Sequence, residues 1–351
     1  AIRQAFPGKP ILIGEIGWPS LGRDRGPPGV STVNEARYLR RVAGIAARHH
    51  FDYNIVEAFD QPWKSLLENT VGAAWGILDA EREPKFAMSG PVTEMPDWPL
   101  RAAIAVALGL AASFVFGRPL PGFAAALTLA FFAQLLAWLA VTTGFHVALV
   151  TFRLWQFFWA PFRVVLPALF GVALLARAAA LLAGPAATPG PRWLGGQILA
   201  QFFAVYAVAW SLLLAFDGRY RDIPDIDFAL PAAGLAALLL LRAALGWRQH
   251  GRIGSALGLA ALLPDGGRRF GGRLPFYLGI ALIVGAAASL ISEGFAIVGE
   301  DFVRDHPTFA EQAPLVLRAM LSNREMLLWS AMQVVMAVPF LLGASGRSAD
   351  A

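Results

Sequence analysis

Two glutamates end apolar runs in the first quarter of the chain. Glu15 closes "PILIGEI" and precedes Gly-Trp-Pro-Ser; Glu57 lies in "YNIVEAF" and is followed closely by "DQPWK". A carboxylate at the end of a strand, with a loop after it, can serve as nucleophile, as acid or base, or as a ligand for hydroxyls. Either Glu alone also fits a buried acid satisfied by hydrogen bonds. Together, with Trp18, Trp63 and Trp75 close by in sequence, they favour a carbohydrate site. Sugars present flat apolar faces that an indole can cover and hydroxyls that carboxylates and amides can bind. A core position is the other reading of each Trp.

The segments that must position these residues read as α/β. "PILIGEI" is a short apolar run between Pro and Gly, as in a buried parallel strand. A loop rich in Gly, Pro and Arg follows, and then "TVNEARYLRRVAGIAARHH" carries Val33, Ala36, Leu39, Val42, Ala43 and Ala46 at helical spacing. Thr32 and Glu35 match a T-x-x-E capping box at its start. "FDYNIVEAF" is a second strand. This order belongs to an α/β domain. In a (β/α)8 barrel the chemistry sits at the C-terminal ends of the strands, where both glutamates fall. His49 and His50, at the helix end, read as surface or C-terminal dipole residues.

Three ordered motifs, "GEIGWPS", "YNIVEAFDQPWK" and "TVGAAWGILDAEREPKF", resemble the end of a glycoside hydrolase family 17 catalytic domain over about residues 1–96. That family comprises β-1,3-glucanases and glucan transglycosylases, and its bacterial membrane-linked branch is the best match. The resemblance implies the last two strand–helix units of a (β/α)8 barrel, with Glu15 as nucleophile. It also implies that Glu57, Asp60, Gln61, Lys64 and Glu68 line sugar subsites, with Trp18, Trp63 and Trp75 as further binding residues. Plant members usually carry Glu at the position of Gln61, so Gln61 is a sugar ligand only. Retaining glycosidases pair two carboxyls, and the family's acid/base comes from an earlier strand. The opening "AIRQAFPGKP" reads as the interior of a domain, so the fragment alone is expected neither to close a barrel nor to turn over glucan. No cofactor or metal is implied.

The rest of the chain differs in kind. Of 351 residues, 57% are hydrophobic, above the usual 45–50% or so of soluble domains, and the mean hydropathy is +0.55. The excess begins after the Pro-rich linker "SGPVTEMPDWP", giving a soluble domain at 1–96, a membrane domain at 97–343 and a short tail at 344–351. With no Cys, there is neither a disulfide framework nor a thiolate metal site. The net charge of +5 is concentrated in a loop between apolar segments, which argues against nucleic acid as a partner.

Seven spans are expected at about 98–117, 122–143, 161–184, 194–216, 227–246, 275–297 and 325–343, each approaching the roughly 20 apolar residues that cross a bilayer. Arg242, Arg248, Arg252, Arg268, Arg269 and Arg273 make one loop strongly basic and hence cytoplasmic. Counting spans back from it puts the soluble domain outside. "HVALVTFRLWQFFWAPFR" fits an interfacial helix with snorkelling Arg153 and Arg163, or the kinked start of the third span; the first is preferred. Gln134, Gln197, Gln201, Glu293 and Gln333 are polar positions in or at the ends of spans, and Glu293 reads as an exposed one.

The leading expectation is thus a membrane-anchored enzyme acting on β-glucan, partnered by the lipid bilayer and by a membrane glucan synthase. The alternative is a glucan export or scaffold protein with a non-catalytic sugar-binding barrel. A processive glycosyltransferase is set aside, on the expectation that the chain carries neither the Asp-x-Asp nor the Gln-x-x-Arg-Trp signature.

Overall fold

The computed structural model describes residues 2–24, 28–184, 195–217, 221–250, 257–264, 273–296 and 298–342. Two compact units emerge. The first holds residues 1–96 with the short segments 217–222 and 321–324; the second holds the remainder.

The first unit is built on a strand–helix–strand motif. After a single turn of helix, α1 (Ile2–Ala5), strand β1 (Leu12–Ile16) runs parallel to β2 (Asp52–Ile55), and α2 (Thr32–His49) connects them. A parallel pair requires such a crossover. Ala36, Leu39 and Ala46 on one stripe of α2 are buried with Ile16, forming a small apolar core. Arg3 donates to the carbonyls of His49 and His50 at 2.7 and 3.1 Å, satisfying the free end of α2. Both histidines are exposed there. A 3-10 turn (Pro62–Lys64) and α3 (Ser65–Ala73) follow β2.

Two expectations for this unit are corrected. The (β/α)8 barrel fragment is not found: among the described residues there are two strands in one sheet, and most of the chain is helical. A barrel wall requires each strand to be bonded on both edges and its inner face to be filled. Here Leu12 is 60% exposed, and β2 leads into a nine-residue helix broken at Asn69. The T-x-x-E capping box is also absent. Ser31 is the N-cap, its hydroxyl accepting from the Asn34 amide at 2.9 Å, and Glu35 is fully buried instead.

Among the described residues, the regular elements of the second unit are all helices: α4 (Trp98–Gly117), α5 (Phe123–Leu149), α6 (Leu154–Ala183), α7 (Gly196–Asp217), α8 (Asp225–His250), α9 (Leu259–Leu262), α10 (Leu274–Phe295), α11 (Glu300–Asp305), α12 (Phe309–Ser322) and α13 (Arg324–Leu342). Seven of these, α4 to α8 with α10 and α13, are long and apolar enough to cross a membrane. This is the architecture of a multi-pass membrane protein. Helices suit it because every backbone group bonds within its own segment. Phe170, Phe203, Phe228 and Trp329 pack together at the centre, Phe228 meeting Trp329 edge-on at 5.0 Å between ring centroids.

The segment read as an interfacial helix is divided instead. His146–Leu149 ends α5, and Leu154 begins a continuous α6 that runs through Pro161 and Pro167. The side-chain carbonyl of Gln156 fixes that start by accepting from the amides of Phe152 and Arg153, each at 2.8 Å. Arg163 does not snorkel. Its guanidinium grips Asp227 of α8 through two bonds of 2.7 and 2.9 Å, the paired arrangement that makes a charge tolerable among apolar helices. Asp225 and Asp227 form an Asp-x-Asp triplet, which corrects the expectation that the chain carries none; it opens α8, where acidic groups complement the helix dipole.

Glu293 is buried rather than exposed, and Gln333 accepts a bond of 2.9 Å from Ser211. Gln197 donates to the Leu263 carbonyl at 2.7 Å. Of the arginine loop, Arg252, Arg268 and Arg269 lie outside the described residues, as does the tail at 344–351.

Ser31→Ala should destabilise α2 by about 1 kcal/mol, the usual worth of an N-cap hydroxyl. Thr32→Ala should cost far less. Amide hydrogen exchange along α2 in the full chain measures both, and equal effects would restore Thr32 as the cap.

Candidate functional site

The two strands do not pair evenly. Leu12 faces Asp52 and Ile13 faces Tyr53, but the next partners are Ile16 and Ile55. Gly14 and Glu15 together therefore stand against Asn54, which makes this stretch of β1 a bulge. In regular alternation an inward Ile13 would turn Glu15 inward and Ile16 out. The extra residue reverses that order, so Glu15 is exposed and Ile16 is buried. Beyond the bulge the strands close together, with the Val56 amide donating to the Ile16 carbonyl at 2.7 Å. A Cβ on Gly17 would lie 2.0 Å from the Val56 carbonyl oxygen and 2.9 Å from the Trp75 ring. Only glycine permits this approach, and Trp75 is thereby committed to covering the strand ends.

The loop after β2 is laced to a second segment by backbone bonds. The Glu57 amide donates to Trp75, Asp60 to Leu78 and Gln61 to Ala73, at 2.8 to 2.9 Å, while Ile77 and Leu78 donate back to Glu57 and Ala58. The loop therefore presents its side chains from a fixed frame. The Glu57 carboxylate accepts from Lys64 on one oxygen and from Gln61 on the other. Gln61 in turn accepts from the Trp63 indole at 2.9 Å, and the Lys64 ammonium lies 5.8 Å from the centre of the Trp63 ring. Trp63 is 59% exposed. The result is an open aromatic face beside a carboxylate, an amide and an ammonium.

The remaining expected residues are distributed around this frame. The Trp18 indole donates to the Gly29 carbonyl at 3.1 Å and leans on Tyr38, so it supports the loop after β1. Glu68 is exposed on α3, with its side chain folded over Gly72. Among the described residues no hydrogen bond or ion pair joins Glu15 to the Glu57 network; the pairing of their strands is what relates them.

Asp60 belongs to a different cluster. Its Oδ1 accepts from the Gly76 amide at 2.8 Å and from Lys85 at 3.0 Å. Lys85 also donates to the Ser20 hydroxyl at 2.8 Å and pairs with Glu35 at 3.2 Å. The ammonium thus joins the loop after β1, helix α2 and the loop after β2. Ser20, Glu35 and Lys85 are site residues that the sequence marks only faintly: Lys85 ends the motif "EREPK", and the spacing of Glu35 from Thr32 matches a cap. Two carboxylates share this one ammonium. Burial pushes Glu35 up to about 8, with Lys85 opposing the rise. Asp60 is raised too, again chiefly by burial and against Lys85 and the Gly76 amide.

A stability profile follows. Glu35 titrates near 4.5 when unfolded and near 8 when folded, so between those values the folded state holds an extra proton. The stability linked to it is full below pH 4.5 and is lost as pH rises through about 8. Exchange protection of α2 in the full chain should decline over that interval, and Glu35→Gln should flatten the decline. Protection that increases with pH across the same range would contradict the burial assigned to this carboxyl.

Similarity to known proteins is confined to part of the chain. A protein named glucan 1,3-beta-glucosidase from the fungus Arthroderma benhamiae is 33% identical over 93 residues, which are 25% of this chain. The chain spans about 30% of that relative's length. No protein-family profile matches the chain. No solved structure matches it. The likeness is to a glycosidase.

Proposed function

We propose that the first unit acts on β-1,3-linked glucan, including β-1,6-branched forms, as part of a membrane-anchored retaining glycosidase or transglycosylase. The observation that carries this reading is the bulge. It leaves Glu15 exposed at the end of β1, beside the strand that delivers Glu57, Gln61, Trp63 and Lys64. Similarity to a protein named as a glucan 1,3-beta-glucosidase supplies the substrate class.

In this reading Glu15 attacks the anomeric carbon of a bound glucose unit. The bond from that carbon to the leaving oxygen breaks, a proton reaches the leaving oxygen, and a glycosyl ester forms on Glu15. Water then releases the sugar as hydrolysis, or another sugar hydroxyl takes it as transglycosylation. A second carboxyl about 5–5.5 Å away must give and later recover the proton. Glu57 is not assigned that role, because Lys64 and Gln61 occupy both of its oxygens. It serves as a sugar ligand with Asp60, Gln61, Lys64 and Glu68, while Trp18, Trp63 and Trp75 contribute aromatic surface. No residue of this chain is assigned as proton donor.

The seven apolar helices tether the unit to a membrane. The basic loop between α8 and α10 is placed in the cytoplasm, which puts the first unit on the periplasmic side of a bacterial inner membrane. A multi-pass anchor beside a glucan synthase suits synthesis and remodelling, since degradation alone requires only secretion.

The test is a mass-spectrometric assay of the complete gene product in membranes, with a reducing-end-labelled β-1,3-gluco-oligosaccharide. Products should form, and Glu15→Gln should lower their rate about a thousandfold or more, as loss of an essential nucleophile does. Lys64→Met should weaken substrate binding more than turnover. Products longer than the substrate indicate transglycosylation, and shorter ones alone indicate hydrolysis. An unchanged oligosaccharide that still binds would favour a non-catalytic glucan-binding role. Undiminished activity in Glu15→Gln would remove Glu15 from the mechanism.

A further inference from the structure

Between spans α10 and α13 the chain does not simply loop. It forms α12, on which Phe309, Ala313, Val316, Leu317 and Met320 recur at intervals that place them on one face. Glu311 and Arg318 fall on the opposite side. None of the residues of α12 is buried. Val316 and Met320 rest against Gly294, next to the last residue of α10: a Cβ there would lie 2.7 Å from the Met320 sulfur and 2.9 Å from a Val316 methyl. The same stripe leaves Phe309 83% and Leu317 53% exposed. Ile291 and Phe295, at the same end of α10, are exposed as well.

We propose that α12 is an interfacial helix whose apolar face docks on the lipid surface, at the boundary between headgroups and acyl chains. The assignment rests on reading α10 and α13 as membrane spans. Given those spans, the position of α12 is constrained from both sides. One residue, Asn323, separates it from α13, and its side chains pack on the end of α10. Fourteen residues make a helix of about 21 Å, too short to cross a hydrocarbon core of about 30 Å. A short amphipathic helix pinned at the ends of two spans lies along the membrane plane, with its apolar face turned to the acyl chains and Glu311 and Arg318 turned to water. Its exposed face carries no cluster of cations, so burial of apolar surface drives the docking and anionic lipid is not required.

These 351 residues contain no Cys, which permits single-site labelling of this chain. Phe309→Cys, Leu317→Cys, Glu311→Cys and Arg318→Cys would each carry a fluorophore in phosphatidylcholine vesicles. Leu328→Cys, on an exposed position of α13, reports whether that span contacts lipid. Labels at 309 and 317 should be quenched several-fold more by lipids spin-labelled near the headgroup than labels at 311 and 318, with the reverse order for aqueous iodide. Adding anionic lipid should leave the pattern unchanged. If 328 is lipid-quenched while 317 is quenched by iodide like 318, α12 lies in water and the proposal fails. If 317 is shielded from both quenchers, protein covers the stripe and the proposal fails in favour of a protein partner. A label at 328 without lipid contact would overturn the spans themselves, and α12's assignment with them.

Discussion

One largely enclosed ammonium holds the first unit in register. Lys85 is bonded to Ser20, paired with Glu35 and paired with Asp60, so a single group draws the loop after β1, the connecting helix and the loop after β2 to one point. Removing such a partner leaves the Glu35 carboxyl and the Asp60 carboxylate unmatched, which costs more than the loss of a surface pair. The unit has few alternatives for cohesion. Among the described residues its sheet has two strands, and its apolar core is a handful of residues around Ile16, Ala36 and Leu39. The polar knot does what a larger core does elsewhere, and it fixes the two loops that carry the candidate sugar ligands.

The second unit obeys a different constraint. In hydrocarbon, each backbone donor and acceptor must be satisfied within the protein, so the long Ala, Leu and Val runs form helices. Polar groups among them find partners at short range. Arg163 takes both oxygens of Asp227. Arg177, inside α6, donates to the carbonyls of Ala261 and Leu262 at 3.0 and 2.8 Å, meeting acceptors that the one-turn helix α9 leaves unpaired. A charge inside a span thus marks a contact between helices, and helical periodicity alone does not identify that partner.

The same contrast explains which parts of the site were readable. Strand, helix and strand in the first unit follow from local apolar runs and their periods, and the residues of the Glu57 network were all identifiable because they fall within one short segment, Glu57 to Lys64. The cluster around Lys85 was not. Its members are separated by up to 65 positions, and nothing local distinguishes a lysine that will be buried from one left in solvent. Glu35 shows the hazard: its spacing from Thr32 matched a capping box, but burial beside Lys85 outweighed a role that Ser31 fills at lower cost. The barrel expectation failed for a related reason, since two strands with correct local signals do not close a wall without further strands to pair their edges.

The sequence by itself determined the division into a mixed α/β segment and seven apolar helices, because hydropathy and period are properties of neighbouring residues. It also placed Glu15 near the end of one strand and Glu57 just beyond the end of the other. Tertiary structure decided which way Glu15 faces, because the bulge exists only through the pairing of β1 with β2. It decided, too, that Lys85 serves two carboxylates and that Arg163 binds Asp227. Each of these depends on residues distant in sequence, and at Lys85 and Arg163 they meet in a place where water cannot substitute for a missing partner.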